Sequence, residues 1–166
     1  LGAAPLRGTS VLQDGETAIT GAQRLPRGST GIAYVRSSVR NDLIKRDAVY
    51  GFKTWEYKSP LNFYEKPAVA PDGTVYAIAR DDTVSKLVEI YQGELQSSYS
   101  NTAETLYYLR IVPGSGNEVV VVGGQRILRF EGTTLQNTRT RPYANSVESM
   151  AVDENGRLFL GVKSLG

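Results

Sequence analysis

The 166-residue sequence contains no cysteine and no histidine, and only one methionine, Met150, and one tryptophan, Trp55. Without cysteine there is no disulfide, no thiolate metal ligand and no thiol nucleophile. Without histidine the commonest general base and the commonest zinc ligand are missing, and a Ser-His-Asp triad cannot be assembled within the chain. Long apolar runs are absent too, so no segment has the roughly 20 consecutive apolar residues of a membrane-spanning helix. Neither sign of charge dominates: 19 basic and 17 acidic residues leave a net charge of +2. That balance gives no strong nucleic-acid signal. No cofactor-binding motif is present. The chain opens on Leu1-Gly2-Ala3-Ala4-Pro5 rather than on methionine, which raises two expectations, a processed, exported and extracellular protein or the ordered part of a longer chain. A cysteine-free chain suits a reducing compartment equally well.

What is present is a set of short β-rich runs with period-two alternation, each leaving a glycine-containing turn. Val75-Tyr76-Ala77-Ile78-Ala79 follows Pro71-Asp72-Gly73, Val119-Val120-Val121-Val122 follows Pro113 to Asn117, and Leu158-Phe159-Leu160 follows Asp153-Glu154-Asn155-Gly156. The nearest approach to a helical stripe, Asp42 to Ala48, is too short to nucleate a stable helix. The runs repeat as whole phrases. Ala68 to Gly73 aligns with Ala151 to Gly156, and Tyr50, Ile90 and Phe130 stand 40 residues apart, as do Trp55, Leu95 and Leu135. A unit of four strands recurring at that distance predicts a β-propeller blade. A plain antiparallel sandwich also has evenly spaced short strands, but it needs no repeated phrase.

The expectation is therefore an all-β chain forming one small β-propeller domain over residues 1–166. Whole blades are expected at about 24–60, 65–100 and 101–143, with Gly31 to Val35 supplying the second strand of the first. A fourth blade would be shared between residues 145–166, giving its first and second strands, and residues 1–22, giving its third and fourth around Asp14-Gly15. Such sharing hides open strand edges. The alternatives are a fragment of a larger ring, or two chains forming one ring.

The phrases Pro67 to Ile78 and Met150 to Phe159 resemble repeats of the broad NHL, PQQ-like and YVTN β-propeller superfamily. The resemblance implies the propeller fold and spans activities from streptogramin lyases, lactonases and quinone-dependent dehydrogenases to pure binding modules, so fold alone does not select a function. The lyase and lactonase relatives lean on histidine or on carboxylate clusters, and no tryptophan-docking signature stands in this sequence.

Ligands dock on propellers where loops from several blades meet. The loops expected on that face are Arg36 to Lys45, Arg80 to Lys86 and Gly123 to Arg126, together with Ser59 to Lys66, Tyr99 to Leu106 and Arg139 to Ser146. The first is basic (Arg36, Arg40, Lys45 and Arg46, with Asp42) but lacks the interleaved aromatics of a single-strand nucleic-acid binder. Asp81-Asp82 could ligate calcium, act as an acid–base pair, or form a polar turn. Of the ten tyrosines, Tyr57, Tyr64, Tyr99, Tyr107, Tyr108 and Tyr143 are expected near the fourth strands of blades or the loops that follow them, where they suit either a protein or carbohydrate surface or packing between blades. The residues selected for partner binding are Arg80, Asp82, Tyr107, Arg141 and Tyr143, in a non-enzymatic exported module that presents loops to a protein or glycan. A propeller hydrolase or lyase with carboxylates near the axis is the second expectation. A self-associating subunit of a surface fibre or virion is the third.

Overall fold

The computed structural model describes residues 16–18, 32–37, 41–47, 52–142 and 146–163. These form fifteen β-strands in four antiparallel sheets that follow one another along the chain. The first sheet holds β1 (Glu16–Ala18), β2 (Ile32–Ser37), β3 (Asp42–Asp47) and β4 (Lys53–Lys58) in that order. The second is built on β7 (Val75–Arg80), β8 (Ser85–Tyr91) and β9 (Glu94–Asn101). Its first strand is broken into β5 (Asn62–Phe63) and β6 (Ala68–Val69), both paired with β7. The third runs β10 (Leu106–Ile111), β11 (Glu118–Gly123), β12 (Arg126–Glu131), β13 (Thr134–Thr140), and the fourth pairs β14 (Val147–Val152) with β15 (Leu158–Val162).

Period-two alternation explains how the sheets stack. Successive side chains on a strand point to opposite faces, so a strand buried on both faces reads as an unbroken apolar run. In β7, Val75, Ala77 and Ala79 join Leu43, Trp55 and Tyr57 of the first sheet. The intervening Tyr76 and Ile78 join Leu109, Val119, Val121, Leu128 and Phe130 of the third. In β11 the rule repeats: Val119 and Val121 face back, while Val120 and Val122 face forward onto Met150, Val152, Leu158 and Leu160 of the fourth sheet. Three separate apolar layers thus hold four sheets face to face, which is how propeller blades pack.

The tight turns carry the conformations that the glycines predicted. Gln92 and Gly93, which join β8 to β9, both have positive φ (51° and 85°), as a two-residue hairpin loop with the strands' own twist requires. Gly93 is also pressed against the preceding sheet, since a Cβ built there would lie 3.1 Å from the Trp55 Cβ. Gly93→Ala is therefore expected to lower stability by about 1–2 kcal/mol, from backbone strain and from that contact together. Urea unfolding at unchanged m-value checks it.

Two expectations are corrected. The sequence pattern places residues 16–18 in a blade shared with the C-terminal strands, whereas β1 pairs with β2 through Glu16↔Ser37 and Ala18↔Val35 and so begins the first sheet; the other residues expected in that blade, 1–15 and 19–22, lie outside the described residues. The C-terminal residues do form the expected first and second strands, and among the described residues no further strand joins them. The segment Arg36 to Lys45 is also less of a loop than its charge suggested. Arg36 lies in β2, and Asp42, Lys45 and Arg46 lie in β3, with Asp42 and Arg46 buried. Asp42–Asp47 is strand, not helix.

Candidate functional site

Strand ends and the loops after β7, β9 and β11 meet at one face, where the Gly124 N–H donates to the Thr105 carbonyl and the Arg141 N–H to the Gln125 carbonyl. The innermost strands of three sheets are irregular there. In β10, Leu106 opposes Gly123 and Tyr108 opposes Val122, leaving Tyr107 as the extra residue of a β-bulge. Between β5 and β6, Tyr64 to Pro67 leave the ladder. In β14, Val147 opposes Val162 and Ser149 opposes Gly161, so Glu148 takes the bulged position. A bulge re-aims a side chain and terminates pairing, and bulges are over-represented beside functional sites. Tyr64 and Tyr107 are accordingly exposed, at 51% and 38%.

Arg80, the last residue of β7, lies between these two rings. Its guanidinium carbon is 4.5 Å from the Tyr64 centroid and 5.3 Å from the Tyr107 centroid. Aromatic faces attract a cation and hold the guanidinium plane in place. Asn62, opposite Arg80 in the ladder, donates to the Tyr64 hydroxyl at 3.4 Å. Among the described residues the Arg80 side chain makes no hydrogen bond and no ion pair, so the donors of a pre-positioned guanidinium remain unspent.

The neighbouring loops are fixed by their own polar groups. The Asp81 carboxylate accepts from the Thr83 N–H (2.7 Å), the Thr83 hydroxyl (2.8 Å) and the Val84 N–H (2.9 Å). These bonds, the Thr83 N–H foremost, hold its pKa below the ordinary aspartate value. Asp81 is thus a turn cap. Asp82, beside it, is exposed and carries no such bonds among the described residues. No group of three or more acidic side chains among the described residues is arranged to hold a metal ion. Arg141 serves the scaffold: its N–H donates to the Gln125 carbonyl at 2.8 Å and its guanidinium to the Gly123 carbonyl at 3.1 Å.

Glu104 is the electrostatic anchor of this face. Its side chain is 3% exposed. It accepts from the Gln125 N–H (2.6 Å), the Arg126 N–H (3.1 Å) and the Arg126 guanidinium (2.5 Å), so the loop after β9 grips the turn between β11 and β12. Burial pushes the carboxyl pKa up. The Gln125 N–H and the Arg126 side chain and N–H outweigh it and hold the carboxyl below the ordinary glutamate value. A carboxyl with a depressed folded pKa contributes stability that is complete above its unfolded value and is lost as pH falls through the folded one. Glu104→Gln should therefore be about 1–2 kcal/mol less stable than the parent at pH 7. The gap should begin to narrow as pH falls into the ordinary glutamate range and close only below the lowered folded value, where acid unfolding of the two proteins converges. Denaturant melts across that range measure it.

Of the residues selected from the sequence, the structure brings Arg80 and Tyr107 together. It places Asp82 on the adjacent loop and gives Arg141 to loop support. Tyr143 lies outside the described residues. Sequence reasoning left out Tyr64 as a binding residue, together with Asn62 and Glu104. For Tyr64 there was a signal, because it precedes Tyr107 by about one repeat length.

No family model matches the sequence, and no curated protein matches it. The chain is similar to solved structures of β-propeller proteins. With BamB from Moraxella catarrhalis the TM-score is 0.54 at 15% identity, over 72% of this chain and 36% of that one. With the β-propeller domain of Myceliophteria thermophila Cps50 (Swd1) it is 0.62 at 13% identity, over 79% of this chain and 45% of the other. With the WD40 β-propeller domain of Doa1 it is 0.59 at 18% identity, over 81% and 45%. The chain is an all-β protein of propeller architecture, and it spans less than half the length of each of these three. Among the described residues no helix is long and apolar enough to cross a membrane.

Proposed function

We propose that this chain is a binding module that presents its loop face to a protein partner, and that Arg80 takes a carboxylate of that partner. The observation that carries the reading is the guanidinium held between Tyr64 and Tyr107 with its donors unspent. A fixed planar fork matches a carboxylate in bidentate fashion. Arginine and tyrosine are also the residue types over-represented among interface positions that dominate affinity. Asp82, exposed on the loop that follows Arg80, steers against an indiscriminately acidic surface, so a single well-placed carboxylate is favoured over a polyanion. The exposed rings favour, as a second reading, a glycan that carries carboxylates, because sugar faces stack on tyrosine. The repeat phrases at Pro67 to Ile78 and Met150 to Phe159 support assignment to the NHL, PQQ-like and YVTN group. An extracellular setting suits a chain with no cysteine and a single methionine.

An array of peptides and of uronic-acid glycans, probed with the parent and with Tyr107→Ala, tests this. Peptides with an isolated Glu or Asp between neutral residues should be retained by the parent and lost with Tyr107→Ala. Retention confined to the glycans would shift the reading to the second class. Indifference to both the carboxylate and Tyr107 would end it.

A further inference from the structure

We propose that the groove between the second and third sheets, at the opposite end of β7 from Arg80, is a second binding site and takes a primary ammonium group. The groove has a volume of about 360 Å³, with Asp72, Thr74, Tyr76 and Glu89 on one side and Gly116 and Asn117 on the other. All of them lie in the continuously described stretch 52–142, so the site owes nothing to the fourth sheet. Alternation aims the side chains. Val75 packs toward the first sheet, so Thr74 and Tyr76 point the other way, toward the third. Glu89 pairs with Tyr76 across the ladder and shares its face.

Thr74 is the residue that points to a ligand. Only 6% of it is exposed. Its N–H donates to the Asp72 carboxylate at 2.8 Å and its carbonyl accepts from the Ala70 N–H at 2.8 Å, but its hydroxyl has no partner among the described residues. Native structures rarely leave a buried hydroxyl unpaired, and this one faces the groove.

The groups around that hydroxyl decide the kind of ligand. The Glu89 carboxylate accepts from the Tyr76 hydroxyl at 3.2 Å and from the Ser97 hydroxyl at 2.5 Å, and Ser97 accepts in turn from Thr133 at 2.7 Å. Each carboxylate oxygen keeps acceptor capacity beyond these bonds. The Asp72 carboxylate accepts only the Thr74 N–H among the described residues. Both charges act at one place. Burial, then the Glu89 charge and hydrogen bond, then the Asp72 charge push the Tyr76 hydroxyl above the ordinary tyrosine pKa. No basic side chain among the described residues pairs with either carboxylate, so the groove offers acceptors and negative charge to a donor with positive charge. A hard metal ion asks for more: calcium takes about six to eight oxygens, and no group of three or more acidic side chains among the described residues is arranged to hold a metal. An ammonium carries three N–H donors on a compact head and no acceptor. It matches Glu89, Asp72 and the Thr74 hydroxyl one to one.

The probes are lysine capped at both backbone ends, cadaverine, and the capped lysine trimethylated on its side-chain nitrogen, each titrated by NMR into the full chain at low salt. The first two should shift the amide signals of Thr74, Gly116 and Asn117 saturably. The tighter of them distinguishes a lysine side chain of a partner from a free polyamine as the natural source. The trimethylated probe keeps the charge but has no N–H to donate, and it should bind about tenfold more weakly or worse. Thr74→Val keeps the shape and removes the hydroxyl, and Glu89→Gln removes the charge. Each should weaken the capped lysine by about tenfold and leave binding at Arg80 unchanged. Asp72→Asn, at an exposed residue that keeps an oxygen for the Thr74 N–H, serves as the charge variant if Glu89→Gln does not fold. Absence of a saturable shift with both amines, equal binding of the trimethylated probe, or affinity that ignores Thr74→Val and the charge variant would each overturn the proposal.

Discussion

Phe130→Ala is expected to lower the free energy of unfolding by about 3–5 kcal/mol, a large share of what a domain of this size possesses. Phe130 lies on β12, is fully buried, and belongs to the layer that joins the second sheet to the third. Truncation removes the apolar transfer energy of the ring. It also leaves a void against Leu109, Leu128 and Val119 that a close-packed interior refills only partly. A third loss is the edge-on contact with Tyr99 at 5.0 Å, a geometry that contributes about 0.5–1.5 kcal/mol beyond area. The control is Phe159→Ala. It is the same chemical change at a ring that is 58% exposed, and it should stay within about 0.5 kcal/mol of the parent. Urea melts should show a lower midpoint for Phe130→Ala at an unchanged slope. If the two variants lost equal stability, the face-to-face packing of the second and third sheets would be wrong.

The second large effect falls on binding. Arg80→Lys keeps the charge but replaces a planar fork with a compact ammonium that neither stacks between Tyr64 and Tyr107 nor grips a carboxylate at two points. It should weaken a carboxylate-bearing ligand by about 2 kcal/mol, roughly 30-fold. Arg80→Ala should weaken it at least as much. A site that uses Arg80 only as diffuse positive charge would tolerate lysine, so the Lys variant separates geometry from net charge. Arg80→Lys should stay close to the parent's melting temperature, because the Arg80 guanidinium forms no ion pair among the described residues, whereas Arg80→Ala also removes the cation–π contacts with Tyr64 and Tyr107 and should lower stability by about 1 kcal/mol.

Much of this architecture could be read in the sequence, for a definite physical reason. Strands buried on both faces, such as Val119 to Val122, write an unbroken apolar run, and the turns before them demand glycine at positive φ, as at Gly73, Gly116 and Gly156. Repetition of both signals at a fixed distance is a propeller's own signature. The partner of a short strand is not written in it. Glu16–Ala18 alternates as any strand does, and only its tertiary register with Val35 to Ser37 places it in the first sheet. Charge misled at Asp42 and Arg46, because a run rich in Asp, Lys and Arg looks like a solvated loop until a neighbouring element buries one of its faces.

The site was legible in kind more than in arrangement. Arg80 and Tyr107 were chosen for residue type and loop position, and they do meet. What brings them together is the bulge at Tyr107 and the broken strand at Tyr64, which arise from the packing of whole sheets and leave no local trace. Arg141 had the right chemistry for recognition, but its donors are turned to the Gly123 and Gln125 carbonyls. Glu104 escaped attention because an isolated acid in a loop is ordinary, and only its burial against Gly123 and Arg126 makes it an anchor.

The most direct measurement of the central claim is the Nε–H resonance of Arg80, assigned through its loss in Arg80→Lys and followed by NMR during titration with a short peptide carrying one glutamate. A guanidinium that waits between two rings for a carboxylate should give a ring-shifted signal in the free protein. It should move progressively with added peptide and slow its solvent exchange, while the same peptide with glutamine leaves it in place. A signal at the random-coil position, or one that ignores the glutamate peptide while other loop-face resonances respond to it, would contradict the account.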